Sequence, residues 1–280
     1  MYKILKKEVL SPTLKLFEID APKIAKKCQA GQFIILRIDE KGERIPLTIA
    51  DFNRDKGTIT LIFAEVGKST QQLGRMEAGD SLVDFIGPLG CPSEIEKYGR
   101  VVCIGGGVGI APVFPITRAL KEAGNEVIGI AAARNKDLLF WLDEFKAQCS
   151  EFRVCTDDGS LGEKGLVTDI LKKVIEEKGK IDYIIAIGPL PMMKFTAALT
   201  KPYGIKTMVS MNSIMVDGTG MCGACRLTVG TETKFACVDG PEFDGHLVDF
   251  NEAQRRSEIY KDEEQRAIAA ASCGGGCGCH

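Results

Sequence analysis

Residues 101–112 read VVCIGGGVGIAP, and this run restricts the chain to few architectures. Val101–Ile104 make a short apolar strand, and Gly105, Gly106, Gly107 and Gly109 follow it directly. The residues after them, through Ala123, have the pattern of a helix. The rhythm then repeats as strand Val127–Ala132, helix Leu138–Cys149, strand Phe152–Thr156, helix Leu166–Lys178 and strand Tyr183–Ile187. Such alternation builds a parallel sheet with helices on both faces. The turn after its first strand is the seat of a dinucleotide pyrophosphate, because glycines admit a close backbone and the helix amides face the charge. Gly105, Gly106, Gly107, Val108, Gly109, Ala111 and Pro112 are the residues placed there. The pattern is G-x-G-x-x-P, not the usual G-x-G-x-x-G. Alone it is equally a flexible turn; the strand before it and the helix after it favour phosphate.

Ligands in such sheets bind beyond the carboxyl ends of the strands. That rule adds Arg134, the pair Asp157 and Asp158, and Gly188 with Pro189. Arg134 and Lys136 suit a ribose or a 2′-phosphate, and suit equally well a role as solvated charges ahead of the next helix. The choice between NAD(H) and NADP(H) stays open.

The first 98 residues have a different texture. Short candidate strands, Tyr2–Val9, Leu14–Ile19, Phe33–Ile38, Ile45–Ala50, Thr58–Glu65 and Ser81–Gly87, are punctuated by Gly31, Gly42, Gly57 and Gly79. With one helix at Thr70–Met76, they predict a six-stranded antiparallel barrel. Arg44-Ile45-Pro46-Leu47-Thr48 sets a guanidinium and a hydroxyl on one face of a strand, suited to a phosphate and a heterocycle nitrogen. Gly67-Lys68-Ser69-Thr70 opens the helix and offers a second anion site.

Residues 217–237 read DGTGMCGACRLTVGTETKFAC. Cys222 and Cys225 form a C-x-x-C, Cys237 follows, and Asp217 stands five residues ahead of the pair. Gly218, Gly220 and Gly223 let amides turn inward toward sulfur. Three thiolates and one carboxylate fit a 2Fe–2S cluster or zinc, and the loop alone leaves both open. The total of 11 cysteines is odd, which argues against a closed disulfide framework. Cys103 and Cys155, in apolar surroundings, read as small buried hydrophobes.

A formal net charge of −2 gives no reason to expect nucleic acid, and no apolar run approaches the roughly 20 residues of a membrane span. The opening residues lack a signal-peptide core, so the expected location is cytoplasmic. After Phe250 the chain is charge-dense through Arg266, as in a solvated or partner-docking helix. It ends in Cys273, Cys277, Cys279 and His280, a full ligand set in a setting with little preorganisation. His246 is expected at the surface.

In this order the pieces resemble the ferredoxin–NADP reductase superfamily, over nearly the whole chain to about Phe250. RIPLT stands where the family has its flavin motif, GVGIAP matches G-x-G-x-x-P, and IGPLPMM matches C-G-P-x-P-M except that Ile187 replaces the Cys. The appended cluster loop is similar to that of dihydroorotate dehydrogenase electron-transfer subunits, which carry four Cys. With Asp217 at the first position, the chain resembles the small subunits of NADH-dependent ferredoxin:NADP reductases.

The resemblance implies an FAD-binding barrel at 1–98, an NAD(P)-binding α/β domain at 99–210, a 2Fe–2S loop at 211–250 and a charged helix with a Cys/Gly tail at 251–280. It implies FAD on Arg44, Pro46, Leu47, Thr48, Gly67, Lys68, Ser69 and Thr70, with Thr48 near flavin N5. It also implies a 2Fe–2S cluster on Asp217, Cys222, Cys225 and Cys237, and NAD(H) at the glycine turn. A larger partner subunit with a second flavin and 4Fe–4S clusters is implied, with ferredoxin served indirectly through electron bifurcation. Nicotinamide gives electrons in pairs and iron takes them singly, so the flavin stands between. No side chain is expected as catalytic acid or base. The competing expectations are an electron-transfer subunit of dihydroorotate dehydrogenase and, in another class, a non-catalytic module with structural zinc.

Overall fold

The computed structural model describes residues 1–273, the last three by backbone alone. Of the tail residues Cys273, Cys277, Cys279 and His280, only the backbone of Cys273 is among the residues so described.

The barrel consists of β1 (Tyr2–Val9), β2 (Leu14–Asp20), β3 (Phe33–Arg37), β4 (Ile45–Asn53), β5 (Thr58–Ala64), β6 (Ser81–Leu82) and β7 (Asp84–Leu89). Helix α1 (Pro22–Lys27) follows β2, and α2 (Lys68–Gly74) follows β5. The strand order is β6-β1-β2-β5-β4-β3-β7. The sixth anticipated strand, Ser81–Gly87, is broken at Val83. Its first half pairs with one end of the sheet (Tyr2↔Leu82) and its second half with the other (Arg37↔Asp84). Val83 donates its amide to the Arg37 carbonyl at 3.1 Å, so this broken strand closes the barrel. Alternate residues such as Phe17, Ile34, Leu36, Leu61, Phe63 and Phe85 fill the interior.

The middle sheet contains β8 (Arg100–Gly106), β9 (Glu126–Ala133), β10 (Glu151–Thr156), β11 (Glu163–Lys164), β12 (Tyr183–Ile187) and β13 (Lys206–Ser210). Helices α3 (Ile110–Glu122), α4 (Leu142–Ala147), α5 (Val167–Lys178) and α6 (Leu190–Thr200) cover it. The expected helix Leu138–Cys149 is shorter. Trp141 adopts φ 51°, which a helix does not allow, and its ring packs 5.1 Å from that of Phe114. The pull of that aromatic contact outweighs local helix propensity.

The C-terminal part adds the hairpin β14 (Arg226–Val229) and β15 (Glu232–Phe235), then β16 (Glu242–Asp244), α7 (Phe250–Ser257) and α8 (Lys261–Cys273). Two helices thus replace the single charged one expected. The middle sheet runs β11-β10-β9-β8-β12-β13-β16, parallel except for β16, which joins β13 antiparallel through Met208↔Asp244 and Ser210↔Glu242. The 211–250 segment therefore supplies an edge strand to its neighbour. One buried cluster runs from Ile104 and Ile184 of the sheet through Cys225, Leu227 and Cys237 to Phe33 and Ile35 of the barrel.

His246 is a correction to the sequence reading: it is half-buried, with Nε2 3.0 Å from the Thr200 hydroxyl. Its polar loop folds back onto the end of α6, which sequence polarity did not reveal.

Candidate functional site

Strand order reverses between β8 and β12, and the crevice of an open sheet lies at such a switch point. The turn after β8 and the turn after β12 meet there, backbone on backbone. A Cβ on Gly109 would stand 2.1 Å from the Ile187 carbonyl oxygen, and one on Gly188 would stand 3.1 Å from the Gly106 Cα. Gly107 has φ +55° with open space in front of it, so conformation alone asks for glycine there.

Facing this turn is the wall formed by β4 and β5, and between them lies a cleft of about 460 Å³. It brings together Pro46, Leu47, Thr48 and Thr70 from the barrel with Gly106, Gly107, Val108, Gly109, Pro112, Gly188 and Pro189. The two sets expected to hold FAD and NAD(H) thus share one mostly apolar space, of the size that organic cofactors occupy. Sequence reading missed Phe33, Ser210, Met211 and Asn212, which also line it. Ser210 and Asn212 end or follow β13, and the carboxyl-end rule would have found them had that strand been recognised.

Several expected residues stand apart from the cleft. Gly105 and Ala111 are buried behind the turn, where Gly105 lies against Ile110. Arg44 is exposed and precedes β4, so it does not share a strand face with Thr48 as expected; the Gly42 turn delays pairing until Ile45. Gly67 and Lys68 form the entry to α2, where the Gly67 amide donates to the Thr70 hydroxyl at 2.9 Å. Ser69 donates its hydroxyl to the Glu43 carboxylate. Arg134, Asp157 and Asp158 follow β9 and β10 at the outer part of the crevice. Asp158 accepts from the Ser160 hydroxyl at 2.6 Å and amide at 2.9 Å, and these bonds lower its pKa.

The cysteine loop has no regular structure before β14. Gly218, Gly220 and Gly223 all take positive φ, at 77°, 83° and 66°. Its four candidate ligands stand as two pairs. Cys225 and Cys237 are buried with sulfurs 3.2 Å apart. Asp217 and exposed Cys222 form the other pair, the Asp217 carboxylate accepting from the Cys222 amide at 3.2 Å. Among the described residues no three His, Cys, Asp or Glu side chains close on a single point. Two pairs match a two-iron cluster, in which each iron takes two protein ligands beside the bridging sulfides.

The Thr219 hydroxyl, helped by the Cys222 amide, holds the Asp217 carboxyl down to about 2, so it is ionised at neutral pH. Burial and the neighbouring Cys225 thiol push Cys237 up to about 12. Metal binding at Cys237 must therefore displace its proton.

Known families and proteins resemble this chain over the same stretches. The family model for the iron–sulfur cluster binding domain of dihydroorotate dehydrogenase B matches residues 212–249, and that for the oxidoreductase NAD-binding domain matches 103–198. The chain is 51% identical over its full length to a protein in the adh 3′ region of Clostridium beijerinckii, covering 99% of that relative. It is 48% identical to a dihydroorotate dehydrogenase B (NAD(+)) electron transfer subunit homolog of Thermotoga maritima, over 94% of this chain and 92% of the relative. A solved NADH-dependent reduced ferredoxin–NADP oxidoreductase, described for flavin-based electron bifurcation, has a chain 46% identical to this one. The two superpose with a TM-score of 0.91 over 96% of this chain and 97% of the other. The chain belongs to the family of dihydroorotate dehydrogenase B electron-transfer subunits and their homologues, oxidoreductase subunits in which an NAD-binding domain precedes an iron–sulfur domain.

Proposed function

We propose that this chain is the small subunit of an electron-bifurcating NADH-dependent ferredoxin:NADP oxidoreductase. In this reading it carries electrons between NAD(H), FAD and a 2Fe–2S cluster, to or from a larger subunit with a second flavin and 4Fe–4S clusters; ferredoxin is reached through that subunit. The observation that carries the reading is strand β3. Phe33 lines the cleft, and Ile35, two residues along the same face, touches Gly218 of the cysteine loop. Cleft wall and loop are thus about 7 Å apart along one strand.

Bound in the cleft, FAD would supply the means of trading electron pairs with nicotinamide for single electrons with iron. The residues of this chain hold and orient. Thr48 offers a hydroxyl toward the heterocycle, the α2 entry and Arg44 serve the phosphates, and the Gly106–Gly109 turn accepts the dinucleotide. Asp217 with Cys222, and Cys225 with Cys237, would hold the irons of the cluster. Arg134, Asp157 and Asp158 serve the outer end of the nicotinamide dinucleotide. The compartment we assign is the cytoplasm, which fits the free buried thiols of Cys28, Cys103 and Cys155. No helix among the described residues is long and apolar enough to cross a membrane.

Anaerobic purification with metal analysis and a visible spectrum, followed by NADH and then NADPH titration, tests the proposal. Flavin and iron–sulfur absorbance bleached by NADH is the expected result. A colourless protein with stoichiometric zinc would end it. The names of the relatives keep a second reading in play, the electron-transfer subunit of dihydroorotate dehydrogenase. Co-purification separates the two: a partner rich in 4Fe–4S clusters supports the first, and an FMN-binding barrel supports the second. Asp217→Cys then probes ligation, with retained cluster and a changed potential and EPR signal expected. Unchanged values would exclude Asp217 as a ligand.

A further inference from the structure

The amides of a loop that wraps a cluster point inward, so its carbonyls point out and need donors. In the Cys222–Cys225 turn two successive carbonyls find guanidinium groups. Arg226 Nη1 donates to the Gly223 carbonyl at 3.2 Å, and Arg256 Nη2 donates to the Ala224 carbonyl at 2.9 Å. Arg226 is local to the hairpin, but Arg256 comes from α7, 32 residues away from Ala224.

Helix α7 is firmly placed. Asp249 caps it, accepting from the amides of Asn251 at 3.0 Å and Glu252 at 2.9 Å. Phe250 and Ala253 are buried, and Glu252 accepts from the Thr228 amide of β14 at 3.0 Å. Glu252 and Arg256 are one helical turn apart and so share a face. One grips the hairpin and the other the cysteine loop. Arg226, Arg256 and Ala224 line one small cavity directly behind that loop.

We propose that Arg256 is a positioning and potential-setting residue for the iron–sulfur cluster. The inference rests on the reading that Cys222 and Cys225 ligate that cluster. The Ala224 carbonyl and the Cys225 amide belong to one peptide unit, so a cation on the carbonyl fixes the direction of the N–H and makes it a stronger donor. The guanidinium also sets a permanent positive charge behind a centre that gains one negative charge on reduction. Both effects favour the reduced cluster.

The test is an EPR-monitored redox titration of the full chain, anaerobically prepared, as wild type, Arg256→Gln, Arg256→Lys and Arg255→Gln. Arg256→Gln should keep the cluster but lower its reduced-to-oxidised ratio roughly tenfold at a fixed applied potential, a downward shift of about 59 mV for a one-electron couple. Arg256→Lys, which keeps the charge and loses the planar fork, should fall between Arg256→Gln and wild type. Exposed Arg255 should have no effect when changed. A shift that shrinks in high salt would support the charge contribution. Wild-type potential in Arg256→Gln overturns the proposal, as does a drop in cluster content with no change in the potential of the remainder. A wild type without any cluster would instead refute the underlying reading of the loop.

Discussion

The Gly106–Gly109 turn presents backbone to its cleft, whereas the Asp217–Cys237 loop presents side chains to its centre. In the first, regular elements end at a shared crevice, and glycines are needed because two turns touch main chain to main chain. In the second, irregular backbone is held from outside by Arg226, Arg256 and the barrel residues under Gly218. A dinucleotide or flavin is recognised along its length by many weak contacts, so shape matters most. A cluster is held by four bonds, and each donor atom matters. Damage to each region should therefore be separable.

The largest separation is expected from Cys237→Ala. Its sulfur is one of the buried pair, and its loss should abolish iron–sulfur absorbance and EPR signal. The smaller side chain costs the apoprotein only about 1 kcal/mol. FAD should remain bound and should still be bleached by NADH. A variant that loses flavin together with iron would show the two regions to be one folding unit, and would break the contrast.

Gly109→Ala is the reverse experiment. The new methyl meets the Ile187 carbonyl, which is backbone and has no rotamer to yield, so the two turns must part. Destabilisation of roughly 1–3 kcal/mol and a marked loss of NADH affinity are expected, with the iron–sulfur spectrum unchanged. Gly107→Ala should be milder, about 1–2 kcal/mol from left-handed strain alone, since nothing opposes the methyl. Titration of flavin bleaching against NADH, beside a thermal melt, reads both.

How much of this was legible beforehand follows the same division. The βα alternation and its glycine turn could be read because each element is encoded locally, by a run of apolar residues and a break. The C-x-x-C loop could be read because thiol spacing is itself the signal. What could not be read depends on distant partners. Strand Ser81–Gly87 divides at Val83 because the two ends of the barrel sheet compete for it. The helix expected from Leu138 starts at Leu142 because Trp141 packs on Phe114. Arg256 looks like one charge among many in a polar tail, and only the fold brings it to Ala224.

Glu242 lies on the seam between the C-terminal segment and the barrel and gives a third test. It sits on β16 with Oε1 accepting from the Ser93 hydroxyl at 2.5 Å, against Gly31 of the barrel. Burial pushes it up to about 7 from the ordinary 4.5. The fold then keeps a proton that the unfolded chain releases, so stability falls as pH rises from about 4.5 to about 7 and levels off beyond. Glu242→Gln keeps an oxygen for Ser93 and removes the charge. Thermal melts should show a flatter pH profile and a higher Tm at pH 8, by roughly 2–4 °C for each kcal/mol recovered. An unaltered profile would mean that the seam does not strain this carboxylate.

The smallest effect, and the sharpest question about the cleft, belongs to Thr48→Val. Thr48 pairs with Phe33 across β3 and β4, half-buried on the cleft wall. Valine has nearly the same shape and β propensity, so the barrel should be undisturbed and only a hydroxyl is lost. If that hydroxyl bonds the flavin near N5, its removal costs about 1 kcal/mol. Such a loss is roughly a fivefold slower hydride step in stopped-flow reduction by NADH, with a small displacement of the flavin spectrum. Unchanged spectrum, potential and rate would mean that shape alone orients the ring. The cleft would then be held entirely by backbone and apolar surface, the opposite extreme from a loop in which every donor counts.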